Sequence, residues 1–118
     1  MIEWRSDIGI YLHRDPVDFR KAINGLAVIV SEEMALDVYS EAIFVFCNKN
    51  RSQIKVLYWD STGFVLWQKR LEKDKFKWPK KDITATVSVT SEEWRWLLRG
   101  FDYSKFKPHK QLNFTEVA

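Results

Sequence analysis

A single cysteine, Cys47, is all this chain offers to disulfide chemistry, so no intramolecular bridge can hold it together. With only two histidines, His13 and His109, far apart in the chain, a Cys/His zinc site is excluded as well. No apolar run is long enough to cross a bilayer, and the opening residues lack a basic segment followed by an apolar one. Secretion and membrane insertion are therefore disfavoured, and a reducing cytoplasm is the expected location. The signatures of common catalytic sites are missing too: no glycine-rich phosphate loop, no paired-cysteine spacing, no His-Glu-x-x-His and no Gly-x-Ser-x-Gly elbow. Asp60 and Glu72 stand at strand ends where a metal-dependent nuclease could hold carboxylates, but two isolated acids fit turns and surface better. Neither histidine has an acid–base partner nearby in sequence, and Cys47 in an apolar strand reads as packing. No catalytic residue, metal or organic cofactor is expected.

What the chain does have is material for a core. Of its 118 residues 46% are hydrophobic and 15% aromatic, with six tryptophans, enough for one compact domain and too few residues for two. That domain is expected over residues 1–103, with 104–118 a loosely held tail rich in lysine and polar groups.

Charge is unevenly spread. Residues 1–48 hold 4 basic and 8 acidic side chains, 49–81 hold 10 and 3, and 82–118 hold 5 and 5. A basic middle is either a surface for an anionic partner or the solubilising charge that keeps hairpins and strand edges apart.

Hydrophobic spacing predicts the elements. Ile8, Ile10 and Leu12 alternate as a short strand. A helix over 16–31 should follow, with Asp15 as N-cap, Pro16 at the first position and Asp18 near the positive end of the dipole. Its face would be Phe19, Ile23, Leu26 and Val30, and Gly25 inside it calls for a close packing contact. Ile43 to Cys47 is apolar throughout, as in a central strand or one covered on both faces. After a turn at 48–52, Gln53 to Trp59 and Phe64 to Leu71 form strands joined at Asp60-Ser61-Thr62-Gly63, completing an antiparallel meander. Asp82 to Val89 alternates as a further strand. Thr90 with Glu93 makes a capping box for a short helix bearing Trp94, Leu97 and Leu98 and ending at Gly100. The expected fold is α+β, an antiparallel sheet against one longer and one short helix.

Between Leu71 and Lys81 lysines alternate with aromatics. Lys69, Arg70, Lys75, Lys77, Lys80 and Lys81 could neutralise phosphates while Trp78 stacks on a base, or Phe76 and Trp78 could plug the sheet instead. Strand alternation puts Lys69 and Arg70 on opposite faces, so both can join one phosphate track only if the strand twists or bulges.

Together these residues resemble the accessory protein, transposase accessory protein B or second open reading frame product, of the sixty-six family of bacterial insertion sequences. The resemblance rests on Asp15-Pro16-Val17-Asp18-Phe19-Arg20-Lys21 leading to Asn24-Gly25-Leu26, on Ile43-Phe44-Val45-Phe46 and on Lys55-Val56-Leu57-Tyr58-Trp59-Asp60. It continues through Gly63-Phe64-Val65-Leu66-Trp67 and Lys69-Arg70-Leu71-Glu72 to Phe76-Lys77-Trp78-Pro79, so that it spans roughly residues 8–103. Departures fall at Ala22, at Lys73-Asp74, where the family commonly has glycine, and at Cys47, a position often basic. The resemblance implies a non-catalytic helper of a separate transposase. That help could be DNA binding through the basic stretch, or docking on the transposase through an aromatic sheet face with Trp59 and Trp67, which could equally be core.

Overall fold

The structure, a computed structural model, describes residues 8–80 and 84–102. Lys81, His109, the first two residues of the strand expected from Asp82 and the tail expected from 104 lie outside the described residues. Elements follow in the order β1 (Gly9–His13), α1 (Ile23–Glu32), β2 (Ala42–Cys47), β3 (Gln53–Asp60), β4 (Gly63–Arg70), β5 (Thr86–Ser88) and α2 (Ser91–Leu98). The strands form one sheet in the order β4-β3-β2-β1-β5, and every neighbouring pair is antiparallel except β1 with β2. The expected α+β class and the β2-β3-β4 meander are both present, and β1 enters the middle of the sheet because α1 carries the chain back across it.

β2 explains why an all-apolar strand was needed. Its six residues are all buried, with Ile43, Val45 and Cys47 in the core on one face and Ala42, Phe44 and Phe46 in the core on the other. Leu26, Ile29 and Val30 of α1 cover the second face together with Met34 and Val38. Trp94 and Leu97 of α2 cover the first, joined by Phe76 and Trp78 from the segment after β4.

The first helix begins later than its sequence signals predict: it starts at Ile23, not at Pro16, and its N-cap Ala22 makes no side-chain cap. Residues 14–22 are held by other bonds. The Val17 N–H donates to the Cys47 carbonyl at 2.9 Å, and the Asp18 carboxylate accepts from the Arg20 N–H at 2.9 Å, folding a local turn instead of capping the helix. The Lys55 ammonium, on a strand residue only 7% exposed, donates to the carbonyls of Phe19 and Lys21 at 2.9 Å each, anchoring the approach to the helix over β3. Phe19 and Ile23 still pack on the same core as Leu26 and Val30, Phe19 from the loop. A Cβ on Gly25 would lie 3.2 Å from the Lys21 Cβ, which is the close contact its place in the helix calls for.

The second helix follows its local signals at both ends. Thr90 Oγ1 accepts from the Glu93 N–H at 3.1 Å while Glu93 Oε1 accepts from the Thr90 N–H at 2.8 Å. At the other end Gly100 adopts φ +86°, and the N–H groups of Phe101 and Gly100 reach the carbonyls of Trp96 and Leu97.

Candidate nucleic-acid interface

The sheet's connectivity collects the basic residues. β1, β2 and β4 finish, and β3 and β5 begin, at the same end of the sheet. The 48–52 turn and the 71–80 segment therefore lie side by side. The Leu71 N–H donates to the Ser52 carbonyl at 2.9 Å, and the Phe76 N–H to the Arg51 carbonyl at 2.7 Å. Asn48 shapes the turn, its side-chain oxygen accepting from the N–H groups of Ser52 and Gln53 at 2.9 and 3.1 Å.

From Lys75 to Trp78 the chain alternates, with Lys75 and Lys77 exposed and Phe76 and Trp78 buried. Trp78 is 9% exposed and its indole N–H donates to the carbonyls of His13 and Arg14 at 3.1 Å each. A ring so enclosed offers no face for a base, and this corrects its expected stacking role: Trp78 pins the basic segment across the end of β1. Lys80 is exposed, and its carbonyl accepts from the Arg14 guanidinium, which also bonds Thr84.

Lys69 and Arg70 lie on opposite faces of β4. Lys69 is half-buried, its ammonium donating to the Leu98 carbonyl at 2.7 Å at the end of α2, whereas Arg70 is exposed and paired with Glu72 at 3.2 Å. Lys77 stands 3.7 Å from Asp74. Such exposed pairs are screened by water and yield readily to a phosphate. Among the described residues no ion pair engages the ammonium groups of Lys49, Lys73, Lys75 or Lys80. Lys49 and Lys73 were not among the expected site residues. Their signal was the basic excess of the whole 49–81 window, which spans two loops that only the strand register brings together.

A cleft of about 450 Å³ opens beside this end, lined by Pro16, Val17, Asp18, Phe19, Asn48, Lys49 and Asn50. The Arg20 side chain and backbone hold the Asp18 carboxyl down at about 2, so a negative charge is fixed at its rim. Burial pushes the Cys47 thiol up to about 11 despite the Arg51 guanidinium beside it, leaving it protonated and without nucleophilic character. No group of three or more His, Cys, Asp or Glu side chains among the described residues is placed to hold a metal ion. Asp60 turns the β3–β4 hairpin and Glu72 faces Arg70.

Trp59 and Trp67 also fall on opposite faces. Trp67, opposite Val56, packs against the core under α2, whereas Trp59, opposite Phe64, stands on the α1 face. In place of one aromatic face carrying both, there is a cluster at the far end of the sheet from the lysines, where Tyr39, Trp59 and Phe64 have ring centroids 5.0–5.5 Å apart.

Residues 8–108 match the family described as IS66 Orf2 like protein. The chain belongs to the IS66 Orf2-like family. As a member, it is an accessory protein of IS66 transposition, in agreement with the resemblance read from its motifs. It is 36% identical to "Uncharacterized protein y4jC" of Sinorhizobium fredii (strain NBRC 101917 / NGR234) over 119 residues, covering both chains in full. It is 27% identical to "Uncharacterized protein y4hO" of the same strain over 103 residues, 87% of this chain and 89% of the other. No solved structure matches it. Among the described residues, no helix of this IS66 Orf2-like chain is long and apolar enough to cross a membrane.

Proposed function

We propose that this IS66 Orf2-like chain is a non-catalytic helper that binds the DNA backbone through the basic end of its sheet while its element's transposase performs the chemistry. The observation that carries this reading is the convergence of Lys49, Lys73, Lys75, Lys77 and Lys80, all exposed, on two loops tied together by backbone hydrogen bonds. Lysines on loops that present no base-reading helix make point contacts with phosphates, which fix affinity and position without selecting sequence. Arg70 adds a further cation, and Lys69 and Trp78 act by holding the scaffold.

Binding to unrelated duplexes should therefore be similar and steeply salt-dependent, with log K falling by about 0.9 per phosphate contact for each unit of log salt. Replacing Lys49, Lys75, Lys77 and Lys80 together by Ala should weaken all duplexes alike and reduce that slope by roughly 3 to 4. The thermal midpoint should barely move, because these side chains are on the surface. No measurable affinity in the parent at low salt, or an unchanged slope in the variant, overturns this reading.

A second reading, a protein adaptor for the transposase, is favoured by the Tyr39–Trp59–Phe64 cluster, in which Tyr39 is 59% exposed. Loss of transposase capture on Tyr39→Ala, with DNA affinity unchanged, would support it.

A further inference from the structure

The two edges of the sheet are built differently. β5 is a three-residue strand, short enough to offer little to an incoming chain, whereas β4 runs eight residues in unbroken register with β3, from Gly63 opposite Asp60 to Arg70 opposite Gln53. Among the described residues nothing pairs with its outer edge. Edge strands of this length are ordinarily guarded by proline, a bulge or a charge directed inward. β4 has no proline, and its register skips no residue. Its two cations are drawn aside, Lys69 to the Leu98 carbonyl and Arg70 to Glu72. Phe64 through Trp67 are only half-buried, Phe64 and Leu66 toward α1 and Val65 and Trp67 toward α2.

The hydrogen-bonding phase of this edge is fixed. The Leu71 N–H points inward to Ser52, so by strand alternation the N–H groups of Lys69, Trp67 and Val65 point to β3 and those of Arg70, Gln68, Leu66 and Phe64 point outward. From this geometry we infer that β4 pairs antiparallel with β4 of a second copy across a two-fold axis, joining the two sheets edge to edge.

The sequence of the strand is self-complementary in that arrangement. An axis normal to the sheet keeps the α1 faces together, so paired residues must share parity. Placing it at Trp67 sets Leu66 opposite Gln68, Val65 opposite Lys69 and Phe64 opposite Arg70. Each basic residue then pairs with an apolar residue of the partner, Lys69 keeping its bond to the Leu98 carbonyl and Arg70 its pairing with Glu72, and the cations of the two copies sit at opposite ends of the seam. Parallel pairing of two copies in the same register would put Lys69 and Arg70 beside their own counterparts.

Sedimentation equilibrium of the full chain should give twice the 14.1 kDa chain mass. Gln68→Pro removes an outward N–H and no backbone bond to β3, costing only the exposed side-chain bond from Gln68 to Gln53, so it should give a folded monomer by circular dichroism. The parent supplies an independent check should that variant fail to fold: the amides of Phe64, Leu66, Gln68 and Arg70 should lose exchange protection on dilution below the dissociation constant, while those of Val65 and Trp67 keep theirs. A monomeric parent at high concentration, a dimer that persists in folded Gln68→Pro, or outward amides whose protection ignores concentration would each overturn the inference.

Discussion

Lys55 shows how a single residue can be placed correctly by pattern and still conceal its role. Alternation along β3 puts it on the face of Leu57 and Trp59, where it lies, but its burial follows from two carbonyls that arrive from residues 19 and 21. Its ammonium also stands 4.9 Å from the centre of the Phe19 ring. Lys55→Met keeps the aliphatic stem and orphans those carbonyls, so denaturant unfolding should show a loss of about 1–3 kcal/mol. Cys47 makes the converse case, a residue whose inertness was legible because an apolar strand of Ile, Phe and Val leaves a thiol nothing but packing. Its folded thiol titrates at about 11 against an ordinary 9.0. The folded state thus holds the proton more tightly, and the stability this gives is complete below pH 9, declining as pH rises toward 11. At pH 8 a thiol reagent should label unfolded chains and leave native ones untouched; rapid labelling of the native protein would contradict the burial.

At the scale of elements, the two helices separate what sequence can and cannot carry. α2 is bounded by local chemistry, a reciprocal Thr90–Glu93 cap and a left-handed Gly100, and both can be read from a window of a few residues. Thr90→Ala should accordingly cost about 0.5–2 kcal/mol, measured by thermal or denaturant unfolding. The start of α1 cannot be read that way. Asp15-Pro16-Val17-Asp18 carries strong start signals, yet the Val17 N–H is taken by β2 and Asp18 opens a local turn, so the segment is a loop where propensity favours helix. Tertiary contacts outweigh a capping preference worth about 1 kcal/mol. The meander was legible for the same reason as α2, since its turns are short and local. The insertion of β1 between β2 and β5 was not, because a parallel pair leaves no turn in the sequence to mark it.

For the whole molecule, charge counting located the basic region but not its shape, which depends on β1, β2 and β4 ending where β3 and β5 begin. The two-fold pairing of β4 and the phosphate-binding end, if both hold, combine into a consequence that neither has alone. An axis normal to the sheet turns one copy end for end, so the basic ends of a dimer face away from each other across the width of both sheets. A dimer built this way cannot lay both ends on one straight duplex segment; it presents them to two. With two differently labelled short duplexes, one tethered and one free, the parent at low salt should retain the free duplex on the tethered one. Gln68→Pro should bind the tethered duplex yet capture little of the second, whereas the quadruple lysine variant should bind both more weakly than the parent while remaining dimeric. Equal capture by Gln68→Pro would show that any bridging arises from something other than strand pairing, because that substitution leaves every lysine of the basic end in place.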